Sequence, residues 1–207
     1  MSGDPEQEYF SDGITEDIIT DLSKTTGLLV VARNSSFAYK HKGGDVRTVA
    51  IWRHDLALAR AETDRALALN PNYALAYGIR GNVVVYLGTP LTGIPHIQRA
   101  IRLDPYFTHQ TLLFLGTAQL VAANFEAAVA TFRERIRLAP QTDLSRAFLA
   151  SALGHLGAVD EARGGWSELT RINPAYSFAE HLARLPFRAD ADRNRIRDGV
   201  KKAGLSH

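Results

Sequence analysis

The 207-residue chain contains no cysteine. That excludes a disulfide framework, a Cys-ligated zinc site and a thiol nucleophile. Its only methionine is Met1, so a Met-rich adaptable binding surface is excluded as well. Lysine is absent between Lys42 and Lys201. No apolar run approaches the ~20 residues that a membrane helix requires; residues 28–32 and 83–87 have the length of a strand or a buried helical turn. The first residues, Met-Ser-Gly-Asp-Pro-Glu-Gln-Glu, are acidic and polar, the opposite of a basic segment followed by an apolar one. The chain is therefore expected in the cytoplasm, with no membrane partner.

Signatures of catalysis are also missing. The seven histidines (41, 54, 96, 109, 155, 181 and 207) include no His-x-x-x-His pair and no His-Glu-x-x-His. Neither a Gly-x-x-x-x-Gly-Lys-Ser/Thr loop nor a Gly-x-Gly-x-x-Gly turn occurs. Asp12, Asp17 and Asp21 place at most two carboxylates on one helix face, which suits a solvated surface better than a metal site. His155, within an apolar helical stretch, reads as a packed or surface histidine. No catalytic, cofactor or metal residue is expected.

What is present begins with a charge segregation that the net value of +2 conceals. Residues 1–27 hold seven acids and one base, a net of −6. Residues 28–54 carry +4, residues 184–207 carry +4, and 55–183 have eleven charges of each sign. Bases interspersed with acids mark a solvated helical surface; nucleic-acid binding calls for bases gathered on one face. Nucleic acid is accordingly not expected as a partner.

The strongest signal is a repeat. Pro71, Pro105, Pro140 and Pro174 each close an apolar segment, at spacings of 34, 35 and 34. Twelve residues before each proline stand Ala59, Gly93, Ala128 and Ala162; eight before, Thr63, Ile97, Phe132 and Trp166; five before, Ala66, Ala100, Arg135 and Leu169. Twenty-four before the last three prolines stand Gly81, Gly116 and Ala150. Small residues at these places let two helices approach, and Phe132 or Trp166 fills the space beside the contact. Proline lacks an N–H and clashes with the preceding turn, so it ends the unit. Each helical pair leaves an apolar face that only another pair can cover. Core packing is the reading for most of these residues, and the Asn-Pro-x-Tyr stretches at 70–73 and 173–176 read as structural turns.

These positions resemble the tetratricopeptide repeat (TPR) family over about 55–174. The resemblance implies a mainly α solenoid of antiparallel helix pairs. Its first unit is expected to retain only its second helix, over 51–69. The stretch Thr89-Pro90-Leu91-Thr92-Gly93-Ile94-Pro95 reads as a long loop that shortens the following helix, and Arg135 stands where a small residue is usual. The first helices of such pairs line a concave groove. Register assigns to it Leu75, Gly78, Asn82 and Val85, then Gln110, Leu113, Thr117 and Leu120, then Leu144, Ala147 and Ser151. This lining is almost uncharged, so a carboxylate-capturing groove is disfavoured. An apolar helix or extended protein segment is the expected guest.

Residues 1–50 follow another rule. Ile14, Ile18, Ile19 and Leu22 have helical spacing with acids opposite, and Leu28-Leu29-Val30-Val31-Ala32 reads as a buried strand. The segments 3–23, 31–40 and 45–50 resemble the TolB-amino-terminal-like (FlgO-like) α/β module, which in bacteria often lies between a class III adenylate/guanylate cyclase domain, or a winged-helix output domain, and a TPR array. Leu185-Pro186-Phe187 and residues 198–205 resemble the end of the same proteins. Against that pattern the strand before Gly3 and those after Ala50 are missing, so the chain is expected to be a truncated, internally deleted relative. The organisation implied is a partial α/β segment (1–50), helical repeats (51–182) and a tail with a short helix (183–207). Apolar surface left by the missing strands is expected to favour self-association. The expected function is a non-catalytic protein-interaction or scaffold module, the regulatory remnant of a cyclase-like signalling protein. The alternatives are a cyclase-family protein acting with a separate catalytic chain, and a non-functional gene fragment.

Overall fold

A computed structural model describes residues 55–105 and 108–205. The helix and strand expected within 1–50 lie outside the described residues. Nine helices and no strand occur among those described. They are α1 (Leu56–Leu69), α2 (Ala74–Tyr86), α3 (Pro90–Leu103), α4 (Thr108–Val121), α5 (Phe125–Leu138), α6 (Asp143–His155), α7 (Val159–Ile172), α8 (Phe178–Arg184) and α9 (Asp190–Lys202).

Local chemistry sets several helix ends. The Asp55 carboxylate accepts from the Leu58 amide at 2.9 Å and starts α1. The Ser177 hydroxyl does the same for Glu180 at 3.3 Å. A side-chain oxygen at this place satisfies an amide that the helix leaves unpaired. Pro71, Pro105, Pro140 and Pro174 each stand two residues beyond the end of α1, α3, α5 and α7. At both Asn-Pro-x-Tyr turns the Asn carbonyl accepts from the Tyr amide at 3.1 Å. The stretch after Thr89 is helix, not loop: α3 begins at Pro90 and carries Pro95 inside it. Proline is tolerated in a first turn, where its missing N–H has no partner to lose. The internal Pro95 gives up one hydrogen bond, and burial of Gly93, Ile97 and Ala100 holds the helix together nonetheless.

Helices α1 to α7 pack successively, each on its neighbours in sequence. In addition α2 touches α4 and α4 touches α6, while no comparable contact joins α3, α5 and α7 to one another. The stack therefore curves with α2, α4 and α6 on its inner side. Gly81 of α2 lies against Gly93 and Ile97 of α3, and Gly116 of α4 against the Phe132 ring of α5. Ala128, Ala162 and Phe132 are fully buried, and Phe132 meets Phe148 of α6 edge-on at 6.1 Å. Trp166 is half-buried and edge-on to Phe178 at 5.8 Å. The turns that follow α2 and α6 use Gly88 (φ 90°) and Gly157 (φ 75°) in the left-handed region; after α4 the same conformation falls to Ala123 (φ 62°). A methyl side chain there works against the turn, because Cβ crowds the neighbouring carbonyl.

Arg135 replaces a small residue by bridging. The residue is 8% exposed, and its guanidinium donates to the His109 carbonyl (2.9 Å), the Thr142 hydroxyl (2.5 Å) and the Ser145 hydroxyl. One side chain thus ties α4, α5 and the start of α6. Burial lowers its pKa, partly countered by Asp143.

Candidate functional site

On the inner face the chain itself covers part of α4 and α6. Residues 182 and 183, on either side of the expected boundary, both lie in α8, and the chain continues past Arg184. It turns back and lays α9 against α6 and α4. Its approach is fixed where the Arg188 amide donates to the Tyr86 carbonyl of α2 at 2.8 Å and Phe187 meets Tyr86 edge-on at 4.9 Å. Burial pushes the Tyr86 phenol up to about 12, with a hydrogen bond to Asn82 acting the other way. Further along, Arg195 donates to the Val121 carbonyl at the end of α4.

Contact with α6 is the most intimate. The Ser151 hydroxyl donates to the Ile196 carbonyl at 2.7 Å. His155 Nε2 donates to the Arg195 carbonyl at 2.8 Å, which leaves Nδ1 to accept from Lys202 at 3.2 Å. The ring also stacks on Phe125 at 4.2 Å and 5°. Between these bonds Gly154 faces Gly199, and a Cβ on either would fall inside contact distance of the other helix's backbone. Two glycines at the crossing let the helix backbones touch. Ile196, Val200 and Ala203 are buried by this docking.

The candidate groove residues divide accordingly. Asn82, Val85, Thr117, Leu120, Ala147 and Ser151 are buried and offer no open surface. Leu75 is exposed, and Gln110, Leu113 and Leu144 are half-buried. Leu75, Gly78 and Gln110 come together at the amino-terminal ends of α2 and α4, around a cavity of about 330 Å³. Ala100, Asp104, His109 and Phe114 complete its wall. Leu113 and Leu144 are not part of that wall. Repeat register placed these residues on the inner helices but carried no sign of α9. Gly154, His155, Gly199 and Arg195, which make the self-contact, were not among the candidates. Their only sequence trace is a glycine within each of two helical stretches.

No group of three or more His, Cys, Asp or Glu among the described residues could hold a metal ion. No described helix is long and apolar enough to cross a membrane.

Three solved structures share this architecture. A crystal structure of YrrB, described as a TPR protein with an unusual peptide-binding site, is 20% identical, covers 84% of this chain and 92% of its own, and superposes with a TM-score of 0.54. Two crystal structures of MamA give TM-scores of 0.56 and 0.57 at 18% and 19% identity, covering 77% and 83% of this chain and 93% and 91% of theirs. The fold is a TPR-like α-solenoid. No family model matches the chain. Over 50 residues it is 76% identical to a protein of Rhizobium meliloti (strain 1021) named "Putative adenylate cyclase 3". That match takes in 24% of this chain and spans 8% of the length of that relative.

Proposed function

We propose that this chain is a non-catalytic protein-interaction module that takes an apolar segment of a partner protein at the open end of its concave face. The observation that carries the reading is the 330 Å³ cavity between α2 and α4, walled mainly by Leu75, Gly78, Ala100 and Phe114. It lies on the face that TPR-like stacking makes concave, beside the part that α9 already fills. An inserted leucine or phenylalanine side chain would gain about 1.5–3 kcal/mol from burial. The polar lining residues Asp104, His109, Gln110 and Thr111 would fix its direction. A peptide selected from a displayed library on the full chain tests this. Leu75→Glu should weaken such a peptide at least about tenfold, the ~1.4 kcal/mol that one lost apolar anchor exceeds, with an unchanged melting curve. Selected peptides indifferent to Leu75→Glu would sink the reading.

The 50-residue identity to the Rhizobium meliloti protein favours a second, finer reading. In it the module is the regulatory or scaffold part of a cyclase-like signalling system and works with a catalytic chain. Purified chain given ATP with Mg²⁺ or Mn²⁺ should form no cyclic AMP. Turnover above background would overturn the non-catalytic assignment.

A further inference from the structure

A second cavity, of about 570 Å³, opens between α8 and α9, away from the α2–α4 groove. Phe178 and Leu182 of α8 and Val200 of α9 form its apolar floor. Arg193, Arg197 and Lys201 form its rim at successive spacings of four, so all three lie on one face of α9. Arg193 is already engaged by Asp190 at 2.9 Å and by the Phe187 carbonyl at 3.0 Å. Arg197 bonds only the neutral Asn194 side chain, at 2.8 Å, and Lys201 has no partner among the described residues. The result is an apolar slot with two exposed, unneutralised cations above it.

We propose that this cleft docks the acidic amino-terminal segment of the same chain, residues 11–24. The complementarity is specific in two respects. Apolar residues Ile14, Ile18 and Leu22 recur at intervals of four, which matches a slot running along a helix. Of the acids outside that stripe, Asp17 and Asp21 lie nearest its edge and are four apart, the same interval as Arg197 and Lys201, so two antiparallel helices can pair both charges at once. The whole stretch 1–27 carries −6 and the segment 184–207 carries +4, a charge it shares with 28–54. Reach is no obstacle. Thirty residues separate the segment from Asp55, enough to span about 100 Å when extended at ~3.3–3.6 Å per residue. Covalent linkage also gives the segment a local concentration on the order of millimolar, so modest contacts suffice. This proposal is independent of the groove between α2 and α4 and stands or falls separately from it.

The absence of cysteine makes a clean test possible in the full chain. Glu16→Cys and Ala183→Cys introduce the only two thiols, joined with a short bis-maleimide. The expected product is a link within one chain, mapped by mass spectrometry. Arg197→Glu with Lys201→Glu should slow the linking at least about tenfold, equivalent to ~1.4 kcal/mol, and raised salt should slow it too. Adding Asp17→Arg and Asp21→Arg to that variant should restore it. All four altered side chains are charged and the two on α9 are exposed, so the helical content by circular dichroism should be unchanged. No link, a link between two chains, or a rate indifferent to both charge reversals would overturn the proposal.

Discussion

Replacing Gly154 by alanine sets two opposed effects against each other, and their sum depends on whether α9 is docked. In an exposed helix interior the change stabilises by about 1 kcal/mol, because glycine has more backbone freedom to lose. At Gly154 the new methyl group falls on the Gly199 carbonyl and beside the Ala203 amide. Both are backbone atoms, so no flexible side chain can swing aside. Overpacking of this kind costs up to about 3 kcal/mol. If α9 withdraws, Ile196 and Val200, now 0% and 1% exposed, lose their burial, worth about 1.5–3 kcal/mol each. Set against the helix-propensity gain, the net loss is about 2 kcal/mol for overpacking at its upper end and about 2–5 kcal/mol for withdrawal. Gly164 supplies the control. It lies within α7, and a Cβ there would meet nothing within 4 Å. For a chain of this size one kcal/mol moves Tm by about 2–4 °C. Thermal melts followed by circular dichroism should therefore place Gly164→Ala about 2–4 °C above the parent and Gly154→Ala at least ~4 °C below it. Two identical chemical changes that shift Tm together would refute the account of the α6–α9 crossing.

Three further outcomes follow from buried and partly buried polar groups. Arg135→Ala should destabilise by about 1.5–3 kcal/mol or more, since a charged donor is lost and three acceptors are left facing inward; urea titration measures it, and a loss under ~0.5 kcal/mol would mean that the bridge contributes nothing. His96 and His181 are both held below their usual 6.5 chiefly by burial, with Arg80 and Arg184 respectively acting the same way and Asp64 and Asp143 opposing. Below 6.5 the unfolded chain then binds protons that the folded chain resists, so stability is lost as pH falls through and beneath that value. Melts between about pH 7.5 and 5.5 should show the fall, and His96→Gln with His181→Gln should flatten it. Asp192 has the opposite sign at lower pH: burial raises its carboxyl against Arg195, so its contribution declines as pH rises above 3.8.

The repeat architecture was legible because each of its signals is local. A proline every 34 or 35 residues ends a helix wherever it stands. Gly81, Gly116 and Ala128 mark close approach through the absence of side-chain bulk, which sequence displays directly. The start of α3 was misread because Pro90, Gly93 and Pro95 all disfavour a helix locally. Packing of Ile97 and Ala100 against α2 outweighed them, and packing energy is not written in propensity. Nothing in the sequence marks Ala123 as an alanine held in a left-handed turn.

What the sequence by itself determined is the helical pairing, its period and the residues at its internal contacts, all settled within one repeat or between neighbours. What only the tertiary structure decided is the state of the concave face. Ser151 and Ile196 are 45 residues apart, and Arg195 reaches Val121 across 74. Whether such residues meet depends on the curvature summed over seven helices and on where the turn after α8 sends the chain. Periodicity carries neither quantity, so it could not show that Ser151, assigned to an open groove, is bonded to the chain's own last helix.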